Sequence, residues 1–351
     1  MILSGFPRRS ETFALNELLA LDRLGALGPI FATKPGDGTA LQPGAERLLG
    51  RVKLLPPADA EAQADVVVAC VKQTTVRALH GYFAHRPAEV AERAARRLGV
   101  PFGFSVHALD ARKVESDELG RRARAAACVV ACNPDVARDI AEAGGQAEVL
   151  PHGVDLGRFA PTAAPANGVL RVLAVGRLVE KKGFATLIRA LEDLGRPVAC
   201  RIVGDGPERP HLAELVRRLG LSGSVELPGA MTHDELPGEY RAADVVVAPS
   251  VRDSRGDRDG LPNVVLEALA SGRAVVGSDV GALGSALTHG TTGLLVEPGD
   301  DRALRRALLA LADRPVLRAR LGAAGRRLVE RDYEQTRCGE RLRDHMVRCY
   351  G

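Results

Sequence analysis

The sequence predicts an α/β fold made of two doubly wound halves, each a parallel sheet flanked by helices, with a cleft between them. Three observations carry that expectation. A chain of 351 residues is long for one compact domain and fits about two domains of ~150 residues. Apolar strand-like runs alternate with helical patterns almost throughout, the mark of βαβ units. The alternation collapses once, in the Pro/Ala/Gly-rich stretch from Phe159 to Gly168, and then restarts. The expected division is therefore residues 1–160, a linker at 161–168, a second domain at 169–331, and a terminal helix at 332–351.

In the first half the helix patterns run from Ser10 to Leu24, Pro87 to Leu98 and Pro134 to Ala143. Gly25, Gly99 and Gly144 close them, because glycine tolerates the positive φ of a helix end, and Ser10 is a good N-cap. Buried strands are expected at Asp65 to Cys70, Val100 to Val106 and Cys128 to Cys132. In the second half they are expected at Leu170 to Gly176, Ala199 to Val203, Val245 to Ala248 and Ala274 to Gly277. Thr232-His233-Asp234-Glu235 reads as a capping box opening a helix. The tail from Asp300 to Tyr350 reads as helices broken at Pro315 and near Asp332-Tyr333.

Composition narrows the class. Apolar residues make up 46% and charged residues 26%, which excludes disordered and collagen-like chains. No stretch approaches the roughly 20 uncharged apolar residues that span a bilayer. The opening places its basic pair, Arg8-Arg9, after the apolar residues, the reverse of a secretory signal, so a cytoplasmic location is expected. The six cysteines form no Cys-x-x-Cys pair and are expected to be small core hydrophobes rather than metal ligands or a disulfide framework. The net charge of +4 is modest and carried mainly by Arg.

Three segments are candidates for chemistry. In Asp259-Gly260-Leu261-Pro262-Asn263-Val264-Val265-Leu266-Glu267 a turn leads into an amphipathic helix, with Pro262 where a helix start tolerates it. First-turn amides suit a phosphate or sugar hydroxyl, and Glu267 is an acceptor suited to paired hydroxyls; the plain alternative is a surface helix with two solvated acids. In Gly176-Arg177-Leu178-Val179-Glu180-Lys181-Lys182-Gly183, Arg177 and Lys182 follow a strand, at the sheet end where open α/β folds bind ligands, and a cationic pair there suits a diphosphate. The alternative is a solvated basic loop. His107 and Asp110 follow a strand of the first half in the same way, against the alternative of a structural histidine.

Other features are weighed down by their surroundings. Gly204-Asp205-Gly206-Pro207 is similar to a dinucleotide fingerprint but lacks its third glycine, and Pro207 removes an amide. Asp257 and Asp259 form an acid pair interleaved with Arg258 and other cations, a poor metal site. The arginines at 93, 96, 97, 121, 122 and 124 suit a solvated face, with an anionic lipid surface as the alternative; no nucleic-acid motif accompanies them.

Taken in order, these motifs resemble the retaining glycosyltransferases of the GT-B fold, family four, in particular the exopolysaccharide and lipopolysaccharide branch. The resemblance runs through Phe6 to Phe13, His107-Ala108-Leu109-Asp110, Pro151-His152-Gly153-Val154-Asp155, Gly176-Arg177 with Lys182-Gly183, Val203 to Pro207, and the acid pair Asp259 and Glu267. It implies two Rossmann-like domains facing across a cleft, with the terminal helix packing back on the first. It implies a nucleoside-diphosphate sugar as donor, uridine ahead of guanosine, a hexose-type sugar, and a glycan, lipid-linked or small-molecule acceptor. Nucleic acid is not an expected partner, no cofactor or metal is expected, and contact with the anionic inner face of a membrane is an expectation. His107, Arg177, Lys182 and Asp259 are implied as catalytic. Gly176, Gly204, Pro228, Gly260, Leu261, Pro262 and Glu267 are implied at the donor, and Gly5 and Asp110 on the acceptor side. The family usually has Glu where Asp259 stands, and many members carry a glycine-rich loop where this chain has only Gly5. Two other functions fit the fold: a nonhydrolysing nucleotide-sugar epimerase and a non-catalytic nucleotide-sugar-binding relative.

Overall fold

The computed structural model describes residues 1–8, 11–37, 42–162 and 168–351. Ser10, expected as an N-cap, and most of the expected linker lie outside the described residues. The chain forms two units, one of Met1–Gly153 with Gln335–Gly351, the other of Val154–Glu334.

The first unit holds seven parallel strands: β1 (Ile2–Phe6), β2 (Ile30–Pro35), β3 (Val52–Leu54), β4 (Leu79–Tyr82), β5 (Phe102–Val106), β6 (Cys128–Ala131) and β7 (Glu148–Val149), in the order β3-β2-β1-β4-β5-β6-β7. The second holds β8 (Leu170–Val175), β9 (Val198–Val203), β10 (Val225–Gly229), β11 (Val245–Ala248), β12 (Ala274–Ser278) and β13 (Leu294–Val296), in the order β10-β9-β8-β11-β12-β13. Each sheet is doubly wound, and its order reverses between β1 and β4 and between β8 and β11. Helices cover both faces, so central strands are apolar throughout rather than alternating, as in Val245-Val246-Val247-Ala248, all buried.

Several expected elements change. Asp65 to Cys70 is not a strand but part of the helix Ala60–Val71. Asp59 caps it by accepting from the Ala62 amide at 2.8 Å. Its buried positions Ala60, Gln63, Ala64, Val67 and Val71 follow a helical period that the β-branched run concealed. β1 to β4, β7, β10 and β13 lie outside the expected strands, and Pro228, implied at the donor, stands near the end of edge strand β10. Thr232 to Glu235 gives half a capping box: the Glu235 carboxylate accepts from the Thr232 amide and hydroxyl, both at 2.7 Å, and the helix starts at Leu236.

The division between units falls at Gly153/Val154, ahead of the Pro/Ala/Gly stretch, because Phe159 and Val154 belong to the core of the second unit and the Val154 amide bonds Tyr333 O at 2.8 Å. The terminal helix Gln335–Tyr350 belongs to the first unit, where Leu342 and Met346 pack with Leu15, Leu18 and Leu21.

Candidate active site

In the second unit the candidate residues lie at the carboxyl ends of β8 and β11, on either side of the point where strand order reverses. Ligands of open α/β sheets bind at such points because adjacent loops there part in opposite directions. The loop after β8 (residues 176–183) and the loop after β11 (residues 249–262) are locked together. The Val251 amide donates to Lys181 O at 2.8 Å, and the Ser254 hydroxyl donates to Glu180 Oε2 at 2.8 Å. Lys181 Nζ meets Asp257 Oδ2 at 2.8 Å, and Lys182 Nζ meets Asp259 Oδ2 at 2.8 Å. Gly183 is in the left-handed region, φ +65°, and a Cβ there would stand 1.9 Å from Pro249 O, so only glycine lets the two loops approach this closely.

Asp259 is buried, and its Oδ2 also accepts from the Ser250 hydroxyl at 2.7 Å. Burial opposes its ionisation, but Lys182, Ser250 and Lys181 outweigh it and hold the carboxyl below its usual range. Lysines therefore take up both members of the acid pair at Asp257 and Asp259. Gly281 (φ +63°) lies against the same segment, where a Cβ would stand 2.0 Å from Asp259 O. Gly260, Leu261 and Pro262 continue half-buried into the helix Asn263–Ala270. In that helix Glu267 is buried rather than solvated. Its Oε2 accepts from Tyr240 Oη at 2.7 Å, and its Oε1 faces His233 Nε2 at 3.4 Å. Tyr240 and His233 are partners that no motif announced.

The Arg177 side chain is exposed and makes no hydrogen bond or ion pair among the described residues, while its carbonyl accepts from the Val179 amide at 2.9 Å. Gly176 packs against the Lys182 stem. Gly204 and Gly206 do not form an open phosphate cradle. A Cβ on Gly204 would stand 1.8 Å from Gly176 O, and one on Gly206 2.5 Å from Leu178 O, so this loop braces the one that carries Arg177. Pro228 is exposed on β10.

In the first unit His107 follows β5 and is buried in an aromatic box of Phe13, Tyr82 and Phe83, stacked on His152 with ring centroids 5.0 Å apart. Glu17, from the first helix, accepts from Tyr82 Oη and bonds His152 Nδ1 at 2.6 Å. Burial, with His152 and His80 nearby, drives His107 well below the ordinary histidine value, so its imidazole is neutral. Burial lowers His152 too, but Glu17 and Cys132 together more than compensate and push it up to about 10. A neutral imidazole thus lies on a protonated one. His107 Nδ1 is buried without a hydrogen-bond partner among the described residues. Glu17, His107 and His152 each bring a ligand-type atom within 4.8 Å of the others, but Glu17 and His152 are already committed to each other.

Asp110 and Gly5 are each held by contacts within the first unit. Asp110 Oδ2 accepts from the Ala84 amide at 2.6 Å, tying the loop after β5 to that after β4. Burial raises its carboxyl to about 7, against the opposing pull of the Ala84 amide. Gly5 sits inside β1, where a Cβ would stand 2.8 Å from Pro35 O. The arginine-rich helices are internally compensated: Arg93 and Arg97 bind Glu61, Arg96 lies 3.7 Å from Glu92, Arg121 and Arg122 bind Glu92 and Glu118, and Arg124 donates to Gly144 O.

Comparison with known proteins places the chain among glycosyltransferases. Residues 170–314 match the family described as Glycosyl transferases group 1, and residues 41–158 match Glycosyltransferase Family 4. The chain is 35% identical over 216 residues to a GDP-mannose-dependent alpha-(1-6)-phosphatidylinositol monomannoside mannosyltransferase of Mycobacterium tuberculosis, covering 57% of this chain and 55% of that protein. It is 34% identical over 285 residues to a D-inositol 3-phosphate glycosyltransferase of Salinispora arenicola, covering 68% and 62%. The chain thus spans somewhat more than half the length of these curated relatives. Among solved structures, Anabaena HepE in complex with UDP superposes with a TM-score of 0.81 at 18% identity over 99% of both chains, which shows a shared GT-B fold. No helix of the described residues is long and apolar enough to cross a membrane.

Proposed function

This chain belongs to glycosyltransferase family four, and on that premise we propose that it moves a hexose-type sugar from a nucleoside diphosphate to an acceptor hydroxyl, with retained anomeric configuration and no metal ion. The observation that carries the proposal is the arrangement at the β8/β11 switch point: exposed Arg177, Lys182 held beside buried Asp259, and buried Glu267. Arg177 and Lys182 neutralise the departing diphosphate, the main electrostatic task when a sugar–phosphate bond breaks. Lys182 is pre-oriented by Asp259, so little side-chain order remains to be imposed when phosphate arrives. Asp259 and the Gly260-Leu261-Pro262 backbone hold the donor sugar. Glu267 takes the ribose hydroxyls on lone pairs that Tyr240 leaves over. Pro228 lies towards the base, and Gly176 and Gly204 set the loop that carries Arg177.

No side chain at this switch point is proposed as a covalent nucleophile. The bond from the anomeric carbon to phosphate breaks as the acceptor oxygen adds on the same face, and the leaving phosphate oxygen takes the acceptor's proton. His107 contributes a neutral, hydrogen-bonding imidazole. The acceptor is a glycan, a lipid-linked sugar or a small polyol. The proposed base is uridine, with guanosine, specified in the name of the M. tuberculosis relative, as the alternative.

A thermal-shift titration with UDP, GDP, ADP and NAD, without added metal, tests the donor site. A ligand at a hundred times its Kd adds about 2.7 kcal/mol. A shift with one nucleoside diphosphate and none with NAD is expected, and no shift with any diphosphate refutes the roles of Arg177, Lys182 and Glu267. A variant with His107, Arg177 and Lys182 all changed to Ala that still transfers sugar refutes the catalytic assignment. Epimer formation from donor alone would replace transfer with epimerisation.

A further inference from the structure

Far from His107, the first unit gathers three side chains that no spacing in the sequence connects. Cys128 opens β6 and is buried, while His345 and Cys349 stand one turn apart on the helix Gln335–Tyr350. The i, i+4 spacing puts both on one face of the helix. One ligand-type atom from each of the three lies within 4.8 Å of the others, and Cys349 Sγ is 3.5 Å from His345 Nε2. A sulfur about 2.3 Å and a nitrogen about 2.0–2.1 Å from a tetrahedral zinc ion stand roughly 3.5 Å apart, so this pair already has the length of one edge of the tetrahedron.

The helix is held in place beside the cluster. Tyr350 Oη bonds His80 Nδ1 at 2.7 Å and lies over Gly103, where a Cβ would come within 2.2 Å of that hydroxyl. Its buried footing is otherwise thin: Cys338, Gly339, Leu342 and Met346 of sixteen residues. A thiolate pair with an imidazole selects borderline-soft divalent ions over magnesium or calcium, which prefer oxygen.

We propose that Cys128, His345 and Cys349 bind a divalent zinc-type ion that fastens the terminal helix to the first sheet. Water completes the tetrahedron. Binding converts two thiols to thiolates and releases two protons to solvent, with neutral His345 as the third protein ligand. The metal is structural: it sits at the amino end of β6, whereas His107 follows the carboxyl end of neighbouring β5.

The test uses the full chain, purified under reducing conditions without a metal-chelating tag and titrated with Co²⁺. Expected are one tightly bound equivalent per chain, the strong visible bands of tetrahedral cobalt–thiolate, and loss of those bands in Cys349→Ser and in His345→Ala, with Cys132→Ser and Cys338→Ser unchanged. Both lost ligands are only half-buried, so the two variants are expected to fold, which circular dichroism checks. Zinc is further expected to slow amide exchange in residues 338–350 at least tenfold in the wild type and not in Cys349→Ser. Absence of the cobalt bands in the wild type overturns the proposal. So does their persistence in both variants, or a Cys128–Cys349 disulfide found by mass spectrometry in protein that takes up no cobalt when reduced.

Discussion

Replacing Lys182 by methionine keeps an unbranched stem against Gly176 and deletes the ammonium from Asp259. At 2.8 Å and an effective dielectric near 20, the lost attraction is about 6 kcal/mol before desolvation is counted. Lys181 remains 3.8 Å from Asp259 Oδ1 and the Ser250 hydroxyl still donates, so the carboxylate is not stranded. The variant also no longer carries the cost of desolvating the Lys182 ammonium, which leaves a net loss of about 2–3 kcal/mol. Amide exchange of Val245 to Ala248, the buried strand before this loop, reads the change. Protection is expected to fall about 30- to 150-fold, since each 1.36 kcal/mol is tenfold. In a cycle with Asp259→Asn the two losses are expected to be less than additive by about 2 kcal/mol. Because the folded carboxyl lies below its ordinary value, the stability it confers is present above pH 3.8 and lost as the pH falls through the folded value; Lys182→Met is expected to flatten that acid limb. Protection within threefold of wild type, or a strictly additive cycle, refutes the reasoning.

Three further outcomes follow from the same structure. Asp110 titrates at about 7 when folded and at 3.8 when free, so it makes stability fall as the pH rises between those values; Asp110→Asn is expected to remove that component, seen as a variant-minus-wild-type difference in urea midpoints from pH 4 to 8. Glu17→Gln takes away the largest of the influences that raise His152 to about 10, leaving Cys132, and an NMR titration should find that imidazole lowered; the stability that the raised value supplies below pH 6.5, lost as pH climbs towards 10, should shrink with it, and an unchanged His152 would refute the pairing. Gly281→Ala combines a left-handed φ of +63° with a Cβ 2.0 Å from Asp259 O, so a loss of about 2–4 kcal/mol is expected from calorimetry, together with loss of any nucleoside-diphosphate thermal shift.

The second unit was far more legible than the first. Its βα pattern is regular, and Arg177, Lys182, Asp259 and Glu267 each sit in the loop that follows a strand or inside the next helix, so linear order translates into position in the sheet. What surrounds them was hidden: Ser250, Tyr240 and His233 reach the acids from separate elements. In the first unit five strands, β1 to β4 and β7, escape the pattern because they are short or of mixed composition, and Val66-Val67-Val68 imitates a strand although a cap at Asp59 and a helical burial period prevail. The His107 box is assembled from four segments, including those of Glu17 and His152, whose sequence separation gives no periodic signal. Asp110 ties two loops together through the Ala84 amide and Gly5 packs against Pro35 O, contacts between distant segments that no local pattern announces.

The chain passes from the first unit to the second at Gly153/Val154 and returns at Glu334/Gln335. A ribosome therefore makes the earliest domain's final piece last. Until residues 335–350 emerge, Leu15, Leu18 and Leu21 lack the cover of Leu342 and Met346, while the second unit already has all of its residues. The order of domain completion during synthesis is thus the reverse of the order in which the domains begin. Nascent chains stalled shortly before residue 335 should offer chaperones an apolar strip on the first domain alone.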